Sequence, residues 1–157
     1  MPDVLKLTVL ATFAALLASC ETQQRSAARG RIQKVRTTAY TAHEGTGGRN
    51  AVGRRLSRGE LKSAASDWSR FPLGTRFRIV STGQEYVIDD YGGALVGTNT
   101  IDLYTTSRHA MNRWGVRHVE IEIRHWGSEQ ESLKVLRPRH KIRRVRRMIA
   151  SLEKKQL

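Results

Sequence analysis

Short runs in which apolar and polar side chains alternate recur through the middle of the chain. In "TRFRIVS", Phe77 and Ile79 fall on one side and Arg76 and Arg78 on the other. "GQEYVIDD" repeats the pattern beyond Thr82-Gly83, so the two runs are expected to form a hairpin. "VRHVEIEIRH" is the clearest period-two run, with Val119, Ile121 and Ile123 on one face and Glu120, Glu122 and Arg124 on the other. "IQKVRTTAYTA", rich in β-branched residues, "LKSAASD" and "TIDLYT" complete a set of six expected strands. In the last, Ile101 and Leu103 should face a core and leave Asp102 and Tyr104 on the opposite side. One short helix is expected over "SRHAMNRWG", with Ser107 as N-cap and Gly115 just past its end. "HEGTGGRNAVGRRLSRGE" reads as a long loop and "RFPLGT" as a turn. Many short strands with one helix predict a mainly β chain, a small barrel rather than a sandwich.

After Pro138 the period changes. Ile142, Val145, Ile149 and Leu152 recur at helical spacing, with Arg143, Arg144, Arg146 and Arg147 between them. A basic amphipathic helix is expected there, against the alternative of a solvated tail. Charge bears on this segment most. The chain carries 28 Lys+Arg against 14 Asp+Glu, a net of +14. From Arg137 to Leu157 there are nine Lys or Arg and one Glu, so most of the excess belongs to the tail. An anionic surface is its expected partner.

The N-terminus has a different character. "LKLTVLATFAALLASC" is an apolar run too short for a comfortable permanent membrane span, and it ends in small residues and the single cysteine, Cys20. Leu17-Ala18-Ser19-Cys20 resembles a lipobox, which would make residues 1–20 a lipoprotein signal peptide and Cys20 the lipidated residue. An ordinary signal peptide or a buried N-terminal helix is the alternative. Glu21 follows where an inner-membrane protein would usually carry Asp, so the expected location is the cell envelope, anchored at the outer membrane and facing the periplasm. A nucleic-acid role is disfavoured for an exported protein. Residues 21–31 read as a flexible tether, 32–126 as the folded domain and 127–157 as the basic tail, expected to be helical.

Candidate chemistry centres on aspartates at strand ends: Asp67 closes "KSAASD", Asp89 and Asp90 stand before Gly92-Gly93, and Asp102 lies in "TIDLY". Like charges held close and partly buried raise one another's pKa, and a protonated aspartate near neutral pH can act as a general acid. Any single aspartate at a strand end is more often a turn residue, so the case rests on the group. The five histidines show no metal-ligand spacing, so neither a metal nor a cofactor is expected. Trp68 and Trp114 read as core or groove walls.

The segments "TTAYTA", "SAASDWSRFPLGTRFRI", "YVIDDYGGALVG", "TIDLY" and "RHAMNRWGVRHVEIEI" occur in the order seen in 3D domains, named for three aspartates, which the chain resembles over roughly residues 34 to 124. The resemblance implies a six-stranded double-psi β-barrel, related to rare lipoprotein A and to the barrel of membrane-bound lytic transglycosylase A. It also implies lytic cleavage of peptidoglycan strands, at the β-1,4 bond between N-acetylmuramic acid and N-acetylglucosamine, with a 1,6-anhydro product. The family aspartates fall on Asp67, Asp90 and Asp102. Asp102 is the implied acid, with Asp90 and Asp67 tuning it, and Asp89 is an extra carboxylate. Tyr40 and the Gly92-Gly93 backbone are expected to line the substrate groove. The chain has "NAVG" where the family often has Thr-x-x-Gly, and one extra residue between Asp90 and Asp102. The rival reading is a non-catalytic peptidoglycan-binding module.

Overall fold

The computed structural model describes residues 32–44 and 47–155. The segments expected to be a signal peptide and a tether, with Cys20, lie outside the described residues.

All six expected strands form. They are β1 (Ile32–Tyr40), β2 (Leu61–Ser66), β3 (Arg76–Ile79), β4 (Glu85–Tyr91), β5 (Thr100–Tyr104) and β6 (Arg117–His125). Their order, β1-β5-β2-β4-β3-β6, closes on itself as a ring of hydrogen-bonded neighbours. β1 and β5 run parallel, as do β2 and β4, while β2–β5, β3–β4 and β3–β6 are antiparallel. The β3–β4 hairpin turns at Gly83, whose φ of 71° favours a residue without a Cβ.

Alternation puts one face of every strand inside. Val35, Ala64, Phe77, Ile79, Ile88, Ile101, Leu103, Ile121 and Ile123 are buried in a single hydrophobic cluster. Helix α1 (Arg108–Trp114) is capped as expected: the Ser107 hydroxyl accepts from the Ala110 N–H, and Gly115 follows at φ 60°. Tyr104, expected opposite the core, is also buried. Its ring packs 5.6 Å from that of Tyr40, its partner across β1–β5, so the outer face here is covered by aromatic rings.

The region after residue 126 departs from the expected separate tail. The described residues from Gln33 to Lys155 form one compact unit. Helix α2 (Glu129–Leu136) lies within the segment expected to be helical, ahead of the periodic run after Pro138; Ser128-x-x-Glu131 has capping-box spacing, and the Ser128 hydroxyl accepts from the Glu131 N–H. Its N-terminus is stitched to the turn at 72–75. Gly127 N–H donates to Thr75 Oγ1 (3.0 Å), Ser128 N–H to the Leu73 carbonyl (2.9 Å), and Leu73 N–H to Ser132 Oγ (2.9 Å). A Cβ at Gly127 would collide with the Pro72 and Leu73 carbonyls, so the crossing requires glycine.

Helix α3 (Arg143–Lys154) is the expected basic helix, but its apolar stripe does not face outward. Val145, Met148 and Leu152 are fully buried against Trp68, Phe71, Leu133 and Leu136 in the same core as the strands. Only Ile142, at the start of the stripe, is exposed. A face occupied by the domain's own core cannot also insert into a bilayer, so the helix offers other surfaces its arginines alone.

Candidate active site

Strand register brings two of the aspartates together. Thr38 on β1 pairs with Asp102 on β5, Asp102 pairs with Ala65 on β2, and Ala65 pairs with Asp90 on β4. Paired residues in a sheet share a face, so Thr38, Asp102, Ala65 and Asp90 form one row across four strands. The two carboxylates are separated only by the Ala65 methyl and by two strand spacings, about 9–10 Å between Cα atoms.

A bulge makes this row possible. The register runs Ala64–Ile88 and then Ala65–Asp90, which leaves Asp89 as the extra residue. Without the bulge, period-two alternation would send Asp90 to the core side with Ile88. Asp89 instead takes up the slack. Its Oδ2 accepts from Ser63 Oγ (2.7 Å) and Asn50 Nδ2 (2.8 Å), which ties the long 42–60 loop to β2 and β4.

Each carboxyl has its own environment. Burial pushes the Asp102 pKa up, and the charge of Glu44 adds to this. A 2.7 Å hydrogen bond from Thr38 Oγ1 and the nearby Arg36 act in the opposite direction. Burial, with help from the Asp89 charge, pushes Asp90 up to about 6. Bonds from the Tyr91 N–H (2.9 Å) and the Tyr40 hydroxyl (3.4 Å) oppose that rise. Burial also raises Asp89, against its bonds to Ser63 and Asn50. Tyr40 links the group: burial and then the charges of Asp90, Asp89 and Asp102 hold its phenol well above the usual range. The ring therefore stays a hydrogen-bond donor at any physiological pH.

Asp67 is placed differently. It is buried just past β2, with Oδ1 accepting from the Ser69 N–H (2.9 Å) and Ser69 Oγ (2.7 Å), and Oδ2 from the Gly97 N–H (2.7 Å). It folds the Trp68–Phe71 turn and pins the loop between β4 and β5. It is not among the groups that shift Asp102, Asp90 or Tyr40. The neighbouring Trp68 indole, also buried, donates to the Asp90 carbonyl (2.8 Å) and so fixes the end of β4 from within the core.

The glycines expected to approach substrate are packed by the chain itself. A Cβ at Gly92 would press on Leu95, and one at Gly93 on the Arg144 side chain of α3. They make room for that packing rather than for a ligand. The opening beside Asp90 is a cleft of about 590 Å³, lined by Asn50, Ala51, Tyr91, Arg139 and Ile142 among others. Arg139 closes one side, donating to the Ala51 carbonyl (2.7 Å) and the Tyr91 hydroxyl (3.4 Å).

Residues 62–125 match the family model of the 3D domain. The chain carries a 3D domain. That span holds Asp67, Asp89, Asp90 and Asp102, whereas Thr38 and Tyr40 come from β1 ahead of it and Arg139 from the helical region beyond it. The extra residue between Asp90 and Asp102 leaves Asp102 in register with Thr38 and Ala65. No curated protein matches the chain. Among the described residues of this 3D-domain protein, no group of three or more His, Cys, Asp or Glu is arranged to hold a metal ion.

Sequence alone pointed to the carboxylates and Tyr40 but missed their supports. Thr38 had a signal, since it alternates with Tyr40 in "TTAYTA". Ala65, Asn50, Ser63, Glu44 and Arg139 had none, because each acts only through the register or through contacts far along the chain.

Proposed function

We propose that this 3D-domain protein is a peptidoglycan lytic transglycosylase built on a double-psi β-barrel. The closed strand order with two parallel pairs supports the barrel assignment. The observation that carries the activity is the row Thr38–Asp102–Ala65–Asp90 with Tyr40 bonded to Asp90, because it sets two half-buried carboxyls with raised pKa values on one face of the sheet.

Asp102 donates its proton to the glycosidic oxygen between N-acetylmuramic acid and N-acetylglucosamine. The bond from that oxygen to the muramyl C1 breaks, and the oxygen leaves as the 4-hydroxyl of N-acetylglucosamine. The muramyl 6-hydroxyl then attacks C1 and gives its proton to the Asp102 carboxylate. The acid is regenerated, no water enters, and the product is a 1,6-anhydro ring. One carboxyl suffices because the nucleophile belongs to the substrate; glycosidases that use water normally need a second. Thr38 orients Asp102, and Tyr40 and Asp90 meet the sugar from the adjacent strands. In this reading Cys20 carries the lipid, and the domain faces peptidoglycan from the outer membrane.

The test is incubation of the protein with purified sacculi and mass analysis of what is released. Anhydro-muropeptides are expected, and Asp102→Asn should lower their release by about 10²-fold or more. Products with a reducing muramic acid would make the protein a hydrolase. Binding to sacculi with no release would favour the binding module.

A further inference from the structure

The cleft beside Asp90 is one of a series of clefts that share lining residues. Beneath α1 lies a second cleft of about 370 Å³, lined by Lys62, Tyr104, Arg113, Trp114 and Arg117 among others. It shares Lys62 and Tyr104 with a small one of about 100 Å³. That one shares Arg58 and Thr106 with a third of about 380 Å³, which meets the Asp90 cleft at Arg49. Neighbouring clefts thus share lining residues in series, from the one with Arg117, by those with Tyr104, to the one with Asp90 and Arg139.

The clefts carry several cations with no carboxylate partner, which is true of many other arginines of this basic chain. Arg78, Arg124, Lys134, Arg137 and Lys155 each pair with a glutamate. Among the described residues, no carboxylate pairs with Arg58, Lys62, Arg113 or Arg117. Arg117 is also held in place. Its guanidinium stacks 4.5 Å from the Trp114 ring centre and donates to the Trp114 and Arg113 carbonyls at 2.8 and 2.9 Å. A cation fixed in this way loses little side-chain freedom when it binds an anion.

We propose that the cleft under α1 is a subsite for the carboxylates of an acidic glycan strand, held by Lys62, Arg113 and Arg117 while sugars further along reach the Asp90 cleft. The inference rests on the peptidoglycan reading and narrows it to strands that carry free carboxylates. A single-stranded nucleic acid fits less well. Such binding uses open aromatic faces for base stacking, but Arg117 covers Trp114 and Tyr104 is buried. The clefts offer hydroxyls and an amide instead, from Thr82, Gln84, Thr105 and Thr106, which suit sugar hydroxyls.

The experiment is calorimetric titration of the Asp102→Asn chain with a soluble, uncross-linked peptidoglycan strand, with the same strand after its carboxylates are amidated, and with single-stranded DNA. Amidation should weaken binding about tenfold or more, the loss expected for one or two charge-assisted contacts. The added pair Lys62→Gln and Arg113→Gln should weaken the native strand alike and leave the amidated strand unchanged, with thermal melting as the control for folding. Equal affinity for native and amidated strands overturns the proposal, and that comparison requires no cleft variant. DNA binding as tight as the acidic strand also overturns it, in favour of a general polyanion surface. The catalytic reading fails separately: if the wild-type chain releases nothing from sacculi while charge-selective binding persists, the subsite stands and the transglycosylase does not.

Discussion

Asp102 and Asp90 stand on either side of Ala65, one on each strand that flanks it, and both are in register with it. Burial has raised the pKa values of both carboxyls, and neither is among the charges that shift the other. A larger residue at 65 would fill the floor of the site without touching its chemistry. Ala65→Val is expected to cost about 1–3 kcal/mol from overpacking and to lower release from sacculi by about tenfold or more. Thermal denaturation beside the muropeptide assay checks both, and full activity with a normal melting point would remove Ala65 as the spacer.

The raised Asp90 makes a prediction about stability with a definite sign. A folded-state pKa of about 6 lies above the unfolded value of about 3.9. Between those values the folded chain binds more protons than the unfolded one, so this group's contribution to stability falls as pH rises. Above about pH 6 the ionised carboxylate is a net cost. Asp90→Asn should therefore raise the melting point at pH 7.5, by the equivalent of roughly 1–3 kcal/mol after allowing for partial exposure. The gain should shrink towards zero below pH 4, where the carboxyl is protonated in both states. Melting curves of both proteins from pH 3.5 to 8 decide it. A gain independent of pH would mean that the carboxyl is not perturbed.

Asp67 should behave in the opposite way. Its two oxygens accept three hydrogen bonds in a buried turn, and an amide at that position would turn a donor towards Ser69 or Gly97. Asp67→Asn is expected to destabilise the domain by about 1–3 kcal/mol and to loosen residues 92–98, seen as faster amide hydrogen exchange there. Asp102→Asn, whose carboxyl burial also raises, should neither destabilise the domain nor loosen residues 92–98, while losing turnover. If Asp67→Asn were as stable as wild type but inactive, its place would be in the chemistry rather than in the scaffold.

The helical region is part of the domain, so deleting it should not leave a working barrel. Val145, Met148 and Leu152 are fully buried, at about 1.5–3 kcal/mol each. Together they amount to a large part of the roughly 5–15 kcal/mol that holds a typical domain. A chain ending at Leu136 is expected to be unfolded or molten, and Met148→Ala to cost about 2–5 kcal/mol. Circular dichroism on heating tests both. A truncated chain that melts cooperatively at the wild-type temperature would return α3 to the status of an appendage.

The activity should depend on pH through Asp102. Burial and the charge of Glu44 raise its pKa, so the protonated fraction, and with it turnover, falls as the medium becomes alkaline. Glu44→Gln removes one of the two raising influences and should move the falling limb of the pH–rate profile to lower pH. A limb shifted upward or unmoved would contradict the electrostatic account of the site.

The local pattern was enough for the strands, the β3–β4 hairpin, α1 with its Ser107 and Gly115 caps, and the helical period of residues 142–152. Those features depend on side-chain alternation and on the turn and cap chemistry of neighbouring residues, which a linear chain displays. The motif order was enough to single out Asp67, Asp90 and Asp102. The division of labour among them came only with the tertiary structure. Asp90 reaches the outer face because Asp89 bulges, Asp102 meets it because Ala65 stands in register with both, and Asp67 turns instead to Ser69 and Gly97. The destination of the apolar stripe of α3 was likewise open, since a helix face that suits a lipid surface suits a protein core equally well. Pairing register and the choice of packing partner are set by contacts between residues distant along the chain. In this protein they decide which carboxylates line the outer face and which one holds the fold.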